Sequence, residues 1–555
     1  MNRKQRRGAL KNAAESVPSD SIARLFAQAV GSHRAGALGE AQAAYRGVLT
    51  LRPDHAAALR NLGLVLHTQG QLVEAVEYYR QAIVRHPGYF EAVCDLGAAL
   101  KDLGRLDEAE TASRRAVSID PASSLALSNL GSVLCEQGQL EEAACVLRKA
   151  LAKLPEDRWS LSNLVTVLER QGQVEEATAL GRRVVALHPD FLLGQFNLAT
   201  VLSKYGSIDE SIAVFNRALA LDPGMAEAHF GLGQALLLRG EFARGWEEYE
   251  WRWRLKEYAW VRSIRGVVEK PRWRGEDLAD KTIMLCAEQG FGDTFQFIRY
   301  TSLVVAKARR VILLVQPALK QLLGGVAGVT LLGLDEPAPD FDVYCPLLSL
   351  PRIFAAQQGT ALGQAPYLAA DSAAVDRWRA RLGDGGVRIG VAWQGKPGIN
   401  IDQGRSIPLA CLAPLSRVPG VRLINLQKNA GIEQLAGLPD GMRVETLGPD
   451  FDGGPGAFLD TAAAMMSLDL IVTSDTAIAH LAGALGRKTW VALKAVPDWR
   501  WQLGTSRSPW YPTMRLFRQS VAGDWAGVFA EMAEALTQSP ISANAPADSD
   551  AVAPV

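Results

Sequence analysis

The 555-residue chain is long enough for more than one domain. It carries 59 Lys+Arg against 59 Asp+Glu, a formal net charge of zero, which removes any global electrostatic ground for a nucleic-acid or membrane-surface partner. Hydrophobic residues make up 48% and charged residues 21%, as in an ordinary globular protein, and the six cysteines (Cys94, Cys135, Cys145, Cys286, Cys345, Cys411) form no C-x-x-C pair, which fits a reduced compartment and argues against zinc.

In chain order, the basic start Met1–Arg7 is followed by Lys11, Glu15 and Asp20, which interrupt any apolar run of signal-peptide type. Residues 1–20 are therefore expected to be a disordered basic tail. No run of 18 apolar residues occurs, so no membrane span is expected and the chain reads as cytoplasmic.

Prolines then fall at 53, 87, 121, 155, 189 and 223, every interval being 34 residues, which is the tetratricopeptide period. Leu62-Gly63, Leu96-Gly97, Leu130-Gly131 and Leu232-Gly233 share one phase; Ala41, Ala75, Ala109, Ala143 and Ala177 share another. Each repeat is expected to be two antiparallel helices. Gly and Ala let them approach, and large residues such as Tyr45, Tyr79 and Phe215 fill the gap to the next repeat. Pro ends the second helix because it cannot continue one. A single repeat cannot bury its apolar face, so about six repeats are expected to stack as an α solenoid over 21–255. One polar position shares the register: Asn61, Asp95, Asn129, Asn163 and Asn197. On the first helix of each repeat it lines the concave face, where an amide can both donate to and accept from a peptide backbone. The plainer reading is that Asn is a common residue of that repeat position. A protein segment in this groove is the expected partner.

After Trp246, Tyr249, Trp251 and Trp253, an aromatic cluster expected to pack the last repeat onto the C-terminal half, the register stops. Short apolar runs now alternate with helical stretches: Thr282–Ala287, Val311–Gln316, Val329–Leu332 and Asp342–Cys345, then Arg388–Trp393, Val421–Gln427, Met442–Leu447, Leu470–Ser474 and Thr489–Leu493. Strands spaced by helices predict parallel sheets. Two sets predict two Rossmann-like lobes, at 256–382 and 383–537, with a ligand cleft between them. The Ala-, Pro-, Ser- and Asp-rich residues 538–555 are expected to be disordered.

Two strand ends carry candidate chemistry. The loop Glu288-Gln289-Gly290-Phe291-Gly292-Asp293-Thr294 leaves the first strand and opens a helix. Asp293 there can take a proton from an acceptor hydroxyl, or simply cap the helix. The segment from Ser474 through Asp475, Thr476 and His480 to Gly486 follows a strand, and Asp475 and Thr476 can cap a helix whose N-terminal N–H groups suit a pyrophosphate. The other histidines (33, 55, 67, 86, 188 and 229) lie in the repeats, so His480 stands alone in the α/β half. Gln394 and Gly395 end one strand and Gln427 and Lys428 another, where they can hold a nucleotide or serve as solvated loop polarity. Arg405-Ser406-Ile407-Pro408 precedes a helix and is a weaker candidate. Asp340-Phe341-Asp342 and Asp450-Phe451-Asp452 match a D-x-D metal pattern but lie in loops without a matching partner, so no metal is expected.

These residues resemble bacterial proteins in which tetratricopeptide repeats precede a heptosyltransferase-like domain of the two-lobed GT-B glycosyltransferase fold. The matching stretches are E-Q-G-F-G-D at 288–293, V-A-W-Q-G at 391–395, R-S-I-P at 405–408, N-L-Q-K at 425–428 and D-T-A-I-A-H-L-A-G-A-L-G at 475–486, with Pro497–Trp501 and Ser508–Pro512 also typical. The resemblance implies a metal-independent, inverting transfer without a cofactor, from a nucleotide-sugar donor to a protein or glycan acceptor. Asp293 matches the catalytic aspartate. Asp475, Thr476 and His480 match the donor-phosphate segment, with Gly292, Gln394, Gly395, Gln427 and Lys428 as further donor-binding positions. Lys396–Gly404 lacks the His- and Arg-rich character usual before R-S-I-P, which leaves the donor open. Two alternatives stand: a UDP-dependent protein O-linked N-acetylglucosamine transferase, and a repeat scaffold with an inactive sugar-transferase-like domain.

Overall fold

A computed structural model of the chain describes residues 19–256, 258, 270–355, 365–397 and 404–538. The tails at 1–20 and 538–555 lie almost wholly outside the described residues, as does most of Lys396–Gly404. The chain divides into two compact units. One runs to Tyr205 and includes Ala220–Asp222; the other comprises Gly206–Leu219 and Pro223 onward.

The first unit is built from helices joined by short turns: α1 (Ser19–Arg34), α2 (Leu38–Leu51), α3 (Ala56–Thr68), α4 (Leu72–Arg85), α5 (Phe90–Asp102), α6 (Leu106–Ile119), α7 (Ser124–Glu136), α8 (Leu140–Lys153), α9 (Arg158–Arg170), α10 (Val174–Leu187) and α11 (Leu192–Lys204). Each second helix stops just before its register proline; α2 ends at Leu51 ahead of Pro53, and α4 at Arg85 ahead of Pro87. The Leu-Gly phase is a close-approach site. A Cβ on Gly63 would lie 2.7 Å from the Tyr79 ring, and one on Gly131 2.5 Å from Leu147. Adjacent repeats are also tied by an ion-pair ladder at the same period: Arg46–Glu74 at 2.9 Å, Arg80–Glu108 at 2.7 Å, Arg114–Glu142 at 2.9 Å and Arg148–Glu176 at 3.0 Å. These pairs are exposed, so each adds little to stability.

The second unit opens with α12 (Ile208–Leu221) apart from its last two residues, α13 (Ala226–Arg239) and α14 (Phe242–Tyr249), followed by a 3₁₀ turn over Glu250–Arg254. Among the described residues the two units together hold fourteen such helices, which makes seven pairs where the proline spacing suggested about six. The extra pair is the last, α13–α14, which no register proline follows: position 257 is Glu. Two all-parallel sheets come next. The first has strand order β3-β2-β1-β4, with β1 Thr282–Cys286, β2 Arg310–Val315, β3 Val329–Gly333 and β4 Val343–Pro346. The second has order β10-β9-β8-β5-β6-β7, with β5 Val387–Ala392, β6 Val421–Asn425, β7 Val444–Glu445, β8 Leu470–Ser474, β9 Thr489–Leu493 and β10 Met514–Arg518. The segment Met442–Leu447, expected as a full strand, pairs only over two edge residues, and β10 was not anticipated. In both sheets the winding direction reverses, between β1 and β4 in the first and between β5 and β8 in the second. Such switch points open crevices at the carboxyl ends of the strands.

The aromatic cluster divides its work. Trp246, fully buried on α14, makes edge contacts with Phe297, Trp499 and Trp510 of the α/β region at ring distances of 6.1, 5.1 and 6.3 Å. Trp251 instead stacks on His229 of α13 at 3.7 Å.

Candidate functional site

The loop after β1 is held at its root by the last helix pair. Arg252, from the 3₁₀ turn, has no exposed side-chain surface, and its Nε and Nη2 donate to the two Glu288 carboxylate oxygens at 3.1 Å each. Glu288 also accepts from the Leu348 N–H at 2.9 Å. Gln289 Nε2 donates to the Tyr249 and Tyr258 hydroxyls at 3.4 and 3.3 Å. The chain then enters α15 (Phe291–Phe297), where Asp293 Oδ2, in the first turn, accepts from the N–H of the N-cap residue Gly290 at 3.0 Å. The capping reading of Asp293 is thus correct for one oxygen.

The other oxygen, Oδ1, is paired with Arg500 Nη2. Arg500 belongs to a 3₁₀ turn, Trp499–Trp501, in the β9–β10 connection. Its Nη1 donates to Asp498 Oδ1 at 2.7 Å, its Nε to Gln296 Oε1 at 2.9 Å, and the guanidinium lies 4.2 Å from the Trp499 ring centre. The Asp293 and Arg500 side chains are 16% and 10% exposed. Burial lifts the Asp293 carboxyl above the ordinary carboxylate range, and the Arg500 guanidinium works against that lift.

His480 sits on α18 (Ala477–Ala484; α16 is Ser372–Leu382 and α17 Leu459–Met465). Its Nδ1 is 3.0 Å from the Tyr511 hydroxyl, and its ring stacks on Trp501 at 5.3 Å. A Cβ on Gly292 would come within 2.9 Å of His480 Cδ2, so the absent side chain at 292 is what lets α15 and α18 meet. Burial, then the positive charge of Arg500, Arg299 and Arg405, holds the imidazole neutral, well below its usual pKa. Asp475, at the end of β8, is pushed up to about 6 by burial and by the Asp498 carboxylate, with Arg405 opposing. Thr476 is the N-cap residue of α18 but makes no side-chain capping bond; its hydroxyl lies 3.3 Å from that of Thr473. The capping role expected of Asp475 and Thr476 is therefore not what this helix start uses. Asp293, Gln296, Asp498 and Arg500, with Asp475, Arg405 and His480 in electrostatic range, make one network.

The remaining expected donor positions have internal partners. Gln427 Oε1 accepts from the N–H groups of Trp393 and Gln394, both at 3.0 Å, while its Nε2 donates to the carbonyls of Gln394 and Ala430 at 2.9 and 2.8 Å. This amide ties the ends of β5 and β6 together. Lys428 Nζ donates to the Phe451 carbonyl at 2.8 Å and to that of Asp452. Gln394 Oε1 accepts from Gln434 Nε2 at 3.2 Å. Gly395 clears room for an arginine, since a Cβ there would lie 2.5 Å from Arg405 Nη2. Two surface cavities, of about 280 and 320 Å³, lie elsewhere; Trp273, Lys307 and Phe354 help line one, and Pro366, Leu368 and Met466 the other. Among the described residues no cluster of three or more His, Cys, Asp or Glu could hold a metal, and no helix is long and apolar enough to cross a membrane.

In the first unit the recurring polar position mostly joins one repeat to the one before. Asn163 Nδ2 donates to the Ser128 carbonyl and hydroxyl at 3.3 and 3.1 Å, and Asn197 Nδ2 to those of Ser162 at 3.4 and 2.9 Å. Asn61 donates to the Tyr45 hydroxyl at 3.3 Å, and Asp95 pairs with Arg60 at 2.6 Å. Asn129, half-buried on α7, has no side-chain hydrogen bond among the described residues.

Arg500 and Asp498 were not singled out from sequence. Their signal was an arginine flanked by two tryptophans, in a chain segment already resembling the family.

Tetratricopeptide repeat family profiles match residues 34–90 and 196–250, 66–130, 126–158 and 158–188. Protein FlbA of Caulobacter vibrioides is 26% identical over 338 residues, covering 54% of this chain and 53% of its own. The chain thus spans about half the length of that curated relative. Among solved structures, a tetratricopeptide repeat protein from Parabacteroides merdae is 17% identical, covers 42% of this chain and 92% of its own, and has a TM-score of 0.37. TTC0263, a thermophilic TPR protein of Thermus thermophilus, is 23% identical over 33% of this chain and 99% of its own, with a TM-score of 0.31. Both TM-scores are low, and the assignment rests on the family profiles and the 34-residue register. The N-terminal part of the chain is an array of tetratricopeptide repeats, and it is followed by an α/β region of two parallel sheets.

Proposed function

We propose that the α/β region is a glycosyltransferase of GT-B type, making a metal-independent inverting transfer from a nucleotide sugar to a protein or glycan acceptor that the repeats recruit. The observation that carries this reading is the meeting of Asp293, in the first turn of the helix after β1 of one sheet, with His480 on α18 and Arg500 in the β9–β10 connection of the other. The chemistry needs both halves. The acceptor hydroxyl gives its proton to the Asp293 carboxylate as its oxygen bonds the anomeric carbon. The bond from that carbon to the donor phosphate breaks, and the nucleoside diphosphate leaves with the electron pair. Its charge falls to Arg500, Arg405 and the N–H groups opening α18.

The test is a panel of UDP- and ADP-sugars, read first by thermal shift of the full chain and then by transfer. Asp293→Asn keeps donor binding and lowers transfer by about 10²–10⁴-fold. Equal turnover by variant and parent would remove Asp293 as the base. Calorimetry with UDP against ADP donors separates the N-acetylglucosamine transferase alternative. The Asp293–Arg500 pair, which occupies the proposed base, favours the inactive-scaffold alternative as a second reading. That reading expects neither transfer nor hydrolysis with any donor.

A further inference from the structure

We propose that the Arg500–Asp293 pair is a latch on the base: the donor diphosphate takes Arg500 from Asp293, so the carboxylate becomes available to an acceptor only once the donor is seated. This inference rests on the transferase reading above.

Three features carry it. First, Arg500 is anchored without Asp293. Asp498 Oδ1 receives both its Nη1 and its own backbone N–H, at 2.7 and 3.0 Å, Gln296 receives Nε, and Trp499 supports its face. Losing Asp293 leaves the guanidinium in place with Nη2 to redirect. Second, the site is crowded with like charge. Asp293, Asp475 and Asp498 face Arg500 and Arg405, and His480 is neutral, so an incoming diphosphate competes with carboxylates for the same two cations. Third, Gln296 is wholly buried with its Oε1 on Arg500, and its Nε2 has no hydrogen-bond partner among the described residues. A buried donor left unpaired beside a guanidinium suits an anionic oxygen.

While latched, Asp293 has Oδ1 occupied by Arg500, and the guanidinium offsets part of the basicity that burial gives the carboxylate. Exchange of Arg500 onto phosphate frees that oxygen and removes the offset at the moment a leaving group is present. The expected kinetic order is donor before acceptor.

The test is a double-mutant cycle on the full chain, with inorganic pyrophosphate as the probe in calorimetry. Asp293→Asn is expected to tighten pyrophosphate binding about tenfold, and Arg500→Gln to weaken it by about as much. The gain from Asp293→Asn should vanish in the Arg500→Gln background. Mere relief of charge repulsion would give the same gain in both backgrounds, and that outcome overturns the latch. Unchanged or weaker binding by Asp293→Asn alone overturns it too, even if Arg500→Gln fails to fold. A parent that transfers sugar while the cycle is flat loses only the latch. A parent that binds neither pyrophosphate nor any nucleotide sugar loses both the latch and the transferase reading.

Discussion

Asp475 and His480 sit a turn apart and respond to pH in opposite ways. The Asp475 carboxyl is pushed up to about 6 from an ordinary 3.8, so between those values the folded protein holds a proton that the unfolded chain has released. This group therefore favours the fold at low pH, and its contribution is lost as pH rises through about 6. His480 acts the other way: below 6.5 the unfolded imidazole takes a proton that the buried ring refuses. Asp475→Asn fixes the neutral form. It should melt above the parent at pH 8, and the difference should shrink to nothing by about pH 4. Melting at several pH values in parallel, with His480 common to both proteins, isolates the Asp475 effect; a variant that melts below the parent at pH 8 overturns the burial argument. This scale also marks the limit of legibility. Asp293 and His480 were visible because segments at strand ends carry polar residues in recognisable strings. Arg500 was not, because nothing in the residue order says that a guanidinium between two tryptophans turns inward. Gln427 looked like a ligand for the same reason that it is a brace: a polar side chain at a strand end serves either use, and only its four internal bonds decide.

At the scale of elements, the buried Arg252–Glu288 pair links the last helix pair to the loop that leads into α15, the helix of Asp293. Neither side chain has exposed surface, and Arg252 also meets Glu250 at 2.8 Å and Ser349 at 2.9 Å. Removing one partner of such a pair leaves a buried charge without compensation. Arg252→Met is expected to destabilise the second unit by about 3–5 kcal/mol. Adding Glu288→Gln removes the stranded charge and keeps an acceptor for the Leu348 N–H, so the double variant should recover much of the loss. Urea unfolding followed by tryptophan emission reads this unit almost alone, since twelve of the thirteen tryptophans lie beyond residue 205. A double variant no more stable than Arg252→Met would show that shape, not charge, sets the cost. Elements buried on both faces were the easiest to read from sequence, β1, β8 and β9 being continuous apolar runs. The edge strands of the second sheet were hardest. β10 alternates Met514, Leu516 and Arg518 with Arg515 and Phe517, and the exposed Arg515 breaks the run. β7 spans two residues and has no pattern to detect.

For the whole molecule, the most informative register was one of glycines rather than prolines. Gly36, Gly70, Gly104, Gly138, Gly172, Gly206 and Gly240 recur every 34 residues, and all have positive φ, between 73° and 91°. Each turns the chain between the two helices of a pair, a conformation that L side chains resist. Seven glycines mark seven pairs, including the last, which the prolines miss. Composition changes after the last pair, yet the compact unit begins at Gly206, ahead of it. The reason is physical: Trp246 is buried among Phe297, Trp499 and Trp510, and Arg252 completes the Glu288 pair, so the final repeat belongs to the core of the α/β region. Two truncations test this. A chain of residues 206–555 should unfold cooperatively with buried tryptophan emission. One of residues 256–555, cut where the repeat grammar ends, loses Trp246 and Arg252 together. It exposes the aromatic cluster and strands Glu288, so it should aggregate or bind hydrophobic dyes without a cooperative transition. Cooperative unfolding of the shorter chain, matching that of the longer, would mean that the final repeat rests on the α/β region without contributing to its core.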